Sequence, residues 1–224
     1  MGTVGLFVAS ICFGIAAVRT RRALGAGAST VSAWKPVVLG VLAVGLFFAA
    51  GEEISWGQRI FGVDTPESVR AENAQGELNV HNLWAVNGAL DTIFQFFWAG
   101  LFVAVPLAAA LWRPAREVLG RYLPVAPPVI AGFLILNYLL AQTGERVFDD
   151  EDLYTSKYPL VHSITELKEA GVGIVLGIAA FLVLRRTSDE PLLGRPPDRG
   201  EREPVEARPE RGPIRVGRRA AGRR

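Results

Sequence analysis

Five apolar runs dominate the sequence, at about 2–18, 36–54, 92–112, 124–143 and 160–184. Each approaches the roughly 20 residues that a helix needs to cross a hydrocarbon core at about 1.5 Å rise per residue. They predict an all-α fold, a five-helix transmembrane bundle. The composition agrees: half of the residues are hydrophobic and the mean hydropathy is positive, although the last forty residues are almost all polar. The first run is a little short, and no Lys or Arg precedes it, which argues against a cleaved signal peptide. The one cysteine, Cys12, lies inside an apolar run, so an intrachain disulfide and a Cys-based metal or redox motif are both excluded.

The net charge of +2 says little, but its distribution says more. If the segments between spans alternate sides, one side receives Arg19, Arg21, Arg22, Lys35, Arg113, Arg116, Arg121 and the twelve Arg from Arg185 onward. That is nineteen of the 24 basic residues; the other side has Arg59, Arg70, Arg146, Lys157 and Lys168. The positive-inside rule then sets the N-terminus outside and the C-terminus in the cytoplasm, in a multi-pass protein of the bacterial inner (plasma) membrane. Residues 1–185 form the polytopic domain. Residues 186–224, rich in Pro, Gly, Arg and Glu with almost no large apolar side chain, read as a disordered basic cytoplasmic tail that cannot bury enough surface to fold.

The polar chemistry collects on the outer side, in 52–91 and 144–160. Within the first of these, Thr65 is a candidate cap, Pro66 suits the first helical position and Glu67 complements the dipole. A short interfacial helix over about 66–75 is expected, broken by Gly76. In the fifth span His162, Glu166 and Glu169 follow an i, i+4, i+7 stripe, which continues inward as Gly173 and Gly177. Small residues at that spacing let a neighbouring helix come close, so the ionisable face is expected to be the packing face.

The second span repeats the design with Gly45, Ala49, Glu52 and Trp56, the third with Asn87, Asp91 and Gln95, and the fourth with Asn137, Ala141 and Glu145. Four helices thus bring polar residues to one level near the outer boundary, where a carboxylate needs water, a partner or a cation. Of Glu52 and Glu53 only one can follow the stripe, and the other reads as a solvated helix end. Trp56, Trp84 and Trp98 read as aromatic-belt residues. The acidic run at 149–152 reads as a solvated loop.

The pieces EEISWGQRIFG, TPE and ELNVHN, between Gly51 and Asn82, resemble a motif of uncharacterised bacterial multi-pass membrane proteins. That resemblance covers about thirty residues and implies no activity. The three-histidine zinc site of membrane-embedded ceramidase-like hydrolases is not matched, since His81 and His162 are the only histidines and form no HxxxH pair.

Two functions fit these residues. In one, the outer polar site binds a cation, a lipid headgroup or a partner subunit; with five spans and no internal repeat, a homo-oligomer or a larger membrane complex is then expected. In the other, His81 and His162 hold a divalent metal such as zinc, with Glu52, Glu166 and Glu169 as catalytic carboxylates of a hydrolase or transferase acting on a lipid or lipid-linked substrate. Trp56, Gln58, Asn82, Asp91 and Glu145 complete the binding residues in either case. The bilayer is the expected partner, and nucleic acid is not.

Overall fold

The computed structural model describes residues 2–28, 30–73, 76–148 and 154–189, with the backbone alone at residues 59, 87, 91, 145, 148, 154–162, 188 and 189. The run 194–224, a separate unit of the chain, lies outside the described residues together with the tail expected there. Among the described residues all regular elements are helical: α1 (Gly2–Gly25), α2 (Trp34–Glu53), α3 (Gln58–Phe61), α4 (Glu67–Glu72), α5 (Asn87–Ala99), α6 (Val105–Leu111), α7 (Arg113–Tyr122), α8 (Pro128–Phe148) and α9 (Tyr154–Asp189). Extended pairing is limited there to one isolated bridge, Asn73 with Leu83.

Among the described residues four stretches are long and apolar enough to cross a membrane: Gly2–Gly25, Trp34–Glu53, Gly88–Leu111 and Ser163–Thr187. The expected run at 124–143 corresponds to α8, whose apolar part, Pro128–Gly144, is shorter, about 25 Å at 1.5 Å per residue. The third crossing is interrupted by a π turn over Gly100–Ala104. Pro106 follows it, and because proline has no N–H for the carbonyl four residues back, the regular ladder cannot run through this point. α9 continues to Asp189, beyond the domain boundary expected at 185, and Thr187 is buried.

α1 is the central helix, packed between α2 and α9, with α8 on the far side of α9. Its Phe13, fully buried, meets Phe102 of the π turn at 6.2 Å between ring centres. Leu39, Leu42 and Leu46 of α2 and Leu176, Ala179 and Ala180 of α9 complete the core. The small residues on α9 perform the expected role, and their partner is α1: a methyl on Gly5 would fall well inside van der Waals contact with the Gly173 backbone, and one on Gly173 would overlap Gly2. Asn137 of α8 sits over Gly171 and donates Nδ2–H to the Lys168 carbonyl at 3.0 Å, which seats α8 on α9. Val4, Val8, Ile11, Ile15 and Val18 of α1, and Phe133, Leu136 and Leu140 of α8, stay exposed at helical spacing. An apolar outer face on long apolar helices belongs to a protein embedded in a membrane, where lipid covers it.

Candidate functional site

The chain leaves α2 at Glu53 and enters an unusual turn. Ser55, Trp56 and Gly57 all take positive φ, at 46°, 54° and 78°. For the two non-glycine residues this costs about 1–2 kcal/mol each, so local contacts must hold the turn in place. Trp56 folds back over Gly51, where an added Cβ would lie 2.7 Å from the indole, and its ring meets Phe48 edge-on at 5.4 Å. Its Nε1–H donates to Glu52 Oε1 at 2.6 Å. The Ser55 hydroxyl donates to Glu77 and accepts from Asn79 Nδ2 at 3.0 Å.

These bonds belong to a network that folds the segment from Ser55 to Trp84 onto the end of α2. Asn73, buried, donates Nδ2–H to both the backbone carbonyl and Oδ1 of Asn79 at 2.9 Å, and its Oδ1 accepts the Glu77 N–H at 3.2 Å. Gln58 donates to Thr65 and accepts the Leu78 N–H at 2.7 Å. Buried amides placed this way replace the hydrogen bonds lost from water. Thr65 is therefore engaged by Gln58 and does not cap a helix. Pro66 stands at the capping position, and α4 is only six residues long, with no buried side chain. The helix expected over 66–75 is accordingly cut short: Asn73 is drawn into extended backbone by its bonds to Asn79.

Glu52 closes the network. Its Oε2 accepts the backbone N–H groups of Val80 at 2.5 Å and His81 at 3.1 Å, and His81 Nδ1 lies 3.5 Å from the same oxygen. Both carboxylate oxygens thus serve the loop. A fixed anion in a ring of donors is a structural latch before it is anything else.

Behind the latch lies a cavity of about 660 Å³. At the Glu52 end it is lined by Glu52, Glu53, His81, Lys168 and Glu169, and deeper by Leu42, Leu46, Ile93, Phe94 and Phe97. Gly45 and Ala49 line its α2 wall; no atom lies within 4 Å of a Cβ built on Gly45, so this glycine widens the cavity and does not seat a helix. Val41 and Ile93, also in the lining, remain 66% and 64% exposed, so the cavity opens sideways between α2 and α5.

The structure brings together part of the expected set. Glu52, His81, Glu169, Gln95 and Asn137 line the cavity. Glu166, expected beside Glu169, is exposed and outside the lining, because the face of α9 toward the cavity carries Thr165, Lys168, Glu169 and Val172. Glu53 is exposed at the end of α2, as expected of the solvated member of the pair, and also lines the cavity next to Glu52. Trp56 leaves the α2 stripe because the helix ends at Glu53. Gln58 braces the loop, Asn82 is buried within it, and Trp98 is a core residue where an aromatic-belt position was expected. The side chains of His162, Asp91, Asn87 and Glu145 lie outside the described residues, as does 149–152. Sequence reasoning missed Lys168, whose signal was its place beside Glu169 at the same depth, and the Ser55, Glu77 and Asn79 braces, which carry no pattern of their own.

Among the described residues, which do not include the His162 side chain, the donor set for a metal is incomplete. Among the described residues no three His, Cys, Asp or Glu side chains converge, and Glu52, the carboxylate nearest His81, is already committed to N–H donors. No metal-dependent step is built on these residues. No protein-family model, curated protein or solved structure matches the chain.

Proposed function

We propose that this is a five-span membrane protein that binds a membrane lipid in the cavity between α2 and α5. The headgroup lies against Glu53, His81, Lys168 and Glu169, and an acyl chain lies along Leu46, Ile93 and Phe97. What supports this reading is the polarity gradient of one continuous cavity: ionisable at one end, apolar along its length, and open toward the lipid-facing side. Its volume falls in the range of about 300–1,000 Å³ typical of small-molecule sites. From Glu52 to Val41 the wall runs roughly 17 Å at 1.5 Å per residue, enough for a headgroup and the upper part of a chain. A headgroup of mixed charge would also solvate side chains that hydrocarbon would not. The opening between helices would let the lipid enter without leaving the bilayer.

The reading sets the Glu52 end outside and the basic end in the cytoplasm, on the strength of the basic-residue asymmetry. It is tested by native mass spectrometry of the purified full chain. Wild type should retain one phospholipid. Ala49→Trp, which fills the cavity wall, should lose it, while Val44→Trp, on an exposed face of α2, should keep it. Equal retention by both variants would overturn the proposal.

A further inference from the structure

A second cavity, of about 710 Å³, lies at the other end of the bundle. Its lining includes Lys35 at the start of α2, Arg116 and Gly120 of α7, Pro124 in the α7–α8 connection, and Arg186 and Thr187 at the end of α9. Three cations from three helices therefore face one space. No aspartate or glutamate lines it among the described residues.

Each cation is positioned by a backbone carbonyl. Lys35 Nζ donates to Gly120 at 2.8 Å, Arg116 Nε to Ala109 at 2.9 Å, and Arg186 Nη1 to Val125 at 3.2 Å. At Arg116 and Arg186 the carbonyl orients the guanidinium without cancelling its charge. A guanidinium also carries five N–H donors in a planar fork, so a single bond to a carbonyl leaves its geometry for a phosphoryl group intact.

The surroundings point to the same chemistry. α7 buries no side chain and alternates Arg113, Arg116 and Arg121 with Val118 and Tyr122. Trp112, Val118 and Tyr122 are exposed. A basic amphipathic helix with aromatic residues at its edges is suited to the headgroup layer of a membrane.

We propose that this basic cavity is a binding site for a phosphoryl group, carried by an anionic phospholipid headgroup or by soluble phosphate, and gripped by Lys35, Arg116 and Arg186. The site is independent of the cavity at the Glu52 end. Basic pockets between membrane helices bind anionic headgroups through the same charge-assisted bonds.

The test uses the full chain in phosphatidylcholine nanodiscs, with phosphatidylglycerol titrated in and retained lipid read by native mass spectrometry. Wild type should prefer phosphatidylglycerol, and the pair Arg116→Gln/Arg186→Gln should lose that preference by on the order of tenfold. The pair Arg116→Lys/Arg186→Lys should keep most of it. Arg113→Gln/Arg121→Gln, which removes two charges of the same helix outside the cavity lining, should change it far less. Millimolar inorganic phosphate separates the sources: failure to displace phosphatidylglycerol assigns the site to lipid, and displacement with a thermal upshift that the Gln pair lacks assigns it to soluble phosphate. Should the Gln pair fail to unfold cooperatively in phosphatidylcholine alone, Lys35→Gln is read in its place, with the same loss expected. No preference in wild type together with no phosphate-induced upshift, or equal losses in the cavity pair and the α7 control pair, would overturn the proposal.

Discussion

Glu52 and Val80 are 28 residues apart in the chain, yet the Glu52 carboxylate accepts the Val80 N–H at 2.5 Å, and the next N–H, of His81, at 3.1 Å. The end of a membrane helix is thereby tied to the far side of the loop that follows it. Hydrogen bonds to a charged group contribute about 1.5–3 kcal/mol, so Glu52→Gln, which keeps the shape and removes the charge, should destabilise the protein by that order. Glu53→Gln, at an exposed helix end, should cost less. Thermal unfolding of the two variants side by side checks this. Equal effects would mean that the latch is not what orders the loop.

The same pair of glutamates shows how far the sequence could be read. The apolar runs located α1, α2, α5 with α6, α8 and α9, although α1 continues to Gly25 and α9 starts at Tyr154 and ends at Asp189, well beyond their runs, and α7 was not foreseen; periodicity located the α9 face that carries Gly173 and Gly177. A helical stripe carries no information about what happens after the helix stops. Trp56 therefore could not be placed: its position depends on three successive residues of positive φ, of which only Gly57 is an obvious turn residue. Nor could the stripe tell a packing face from a cavity wall, since Gly45 and Gly173 look alike in sequence and differ only in whether another helix arrives. The amide network of Asn73 and Asn79 is set by tertiary proximity and has no periodic signature.

That difference between glycines gives a prediction with opposite signs. Gly5→Ala and Gly173→Ala each force a methyl into a neighbouring backbone, which must move, at a cost of about 1–3 kcal/mol or more. Gly132, inside α8 with nothing within 4 Å of its Cβ position, should instead gain roughly 0.5–1 kcal/mol on changing to Ala. Melting temperatures should fall for the first two and rise for the third. A rise at Gly5 would show that α1 and α9 are not in close contact.

Orientation is open to direct chemical test. In a Cys12→Ser background, single cysteines at residues 75 and 152 should react with a membrane-impermeant maleimide added to intact cells. Cysteines at 28 and 200 should react only after permeabilisation. Labelling of 75 from the cytoplasmic side alone would invert the assigned topology.

The proposal that the cavity between α2 and α5 holds a lipid is tested most directly by a phospholipid bearing a photoreactive group midway along one acyl chain, incorporated into nanodiscs with the full-length protein. After illumination, peptide mapping should find adducts concentrated on the cavity walls, at 41–49 of α2 and 90–98 of α5, and Ala49→Trp should abolish them while leaving labelling of the outer faces of α1 and α8 unchanged. Adducts spread evenly over all exposed helix faces, with no loss in Ala49→Trp, would contradict a lipid held in this cavity.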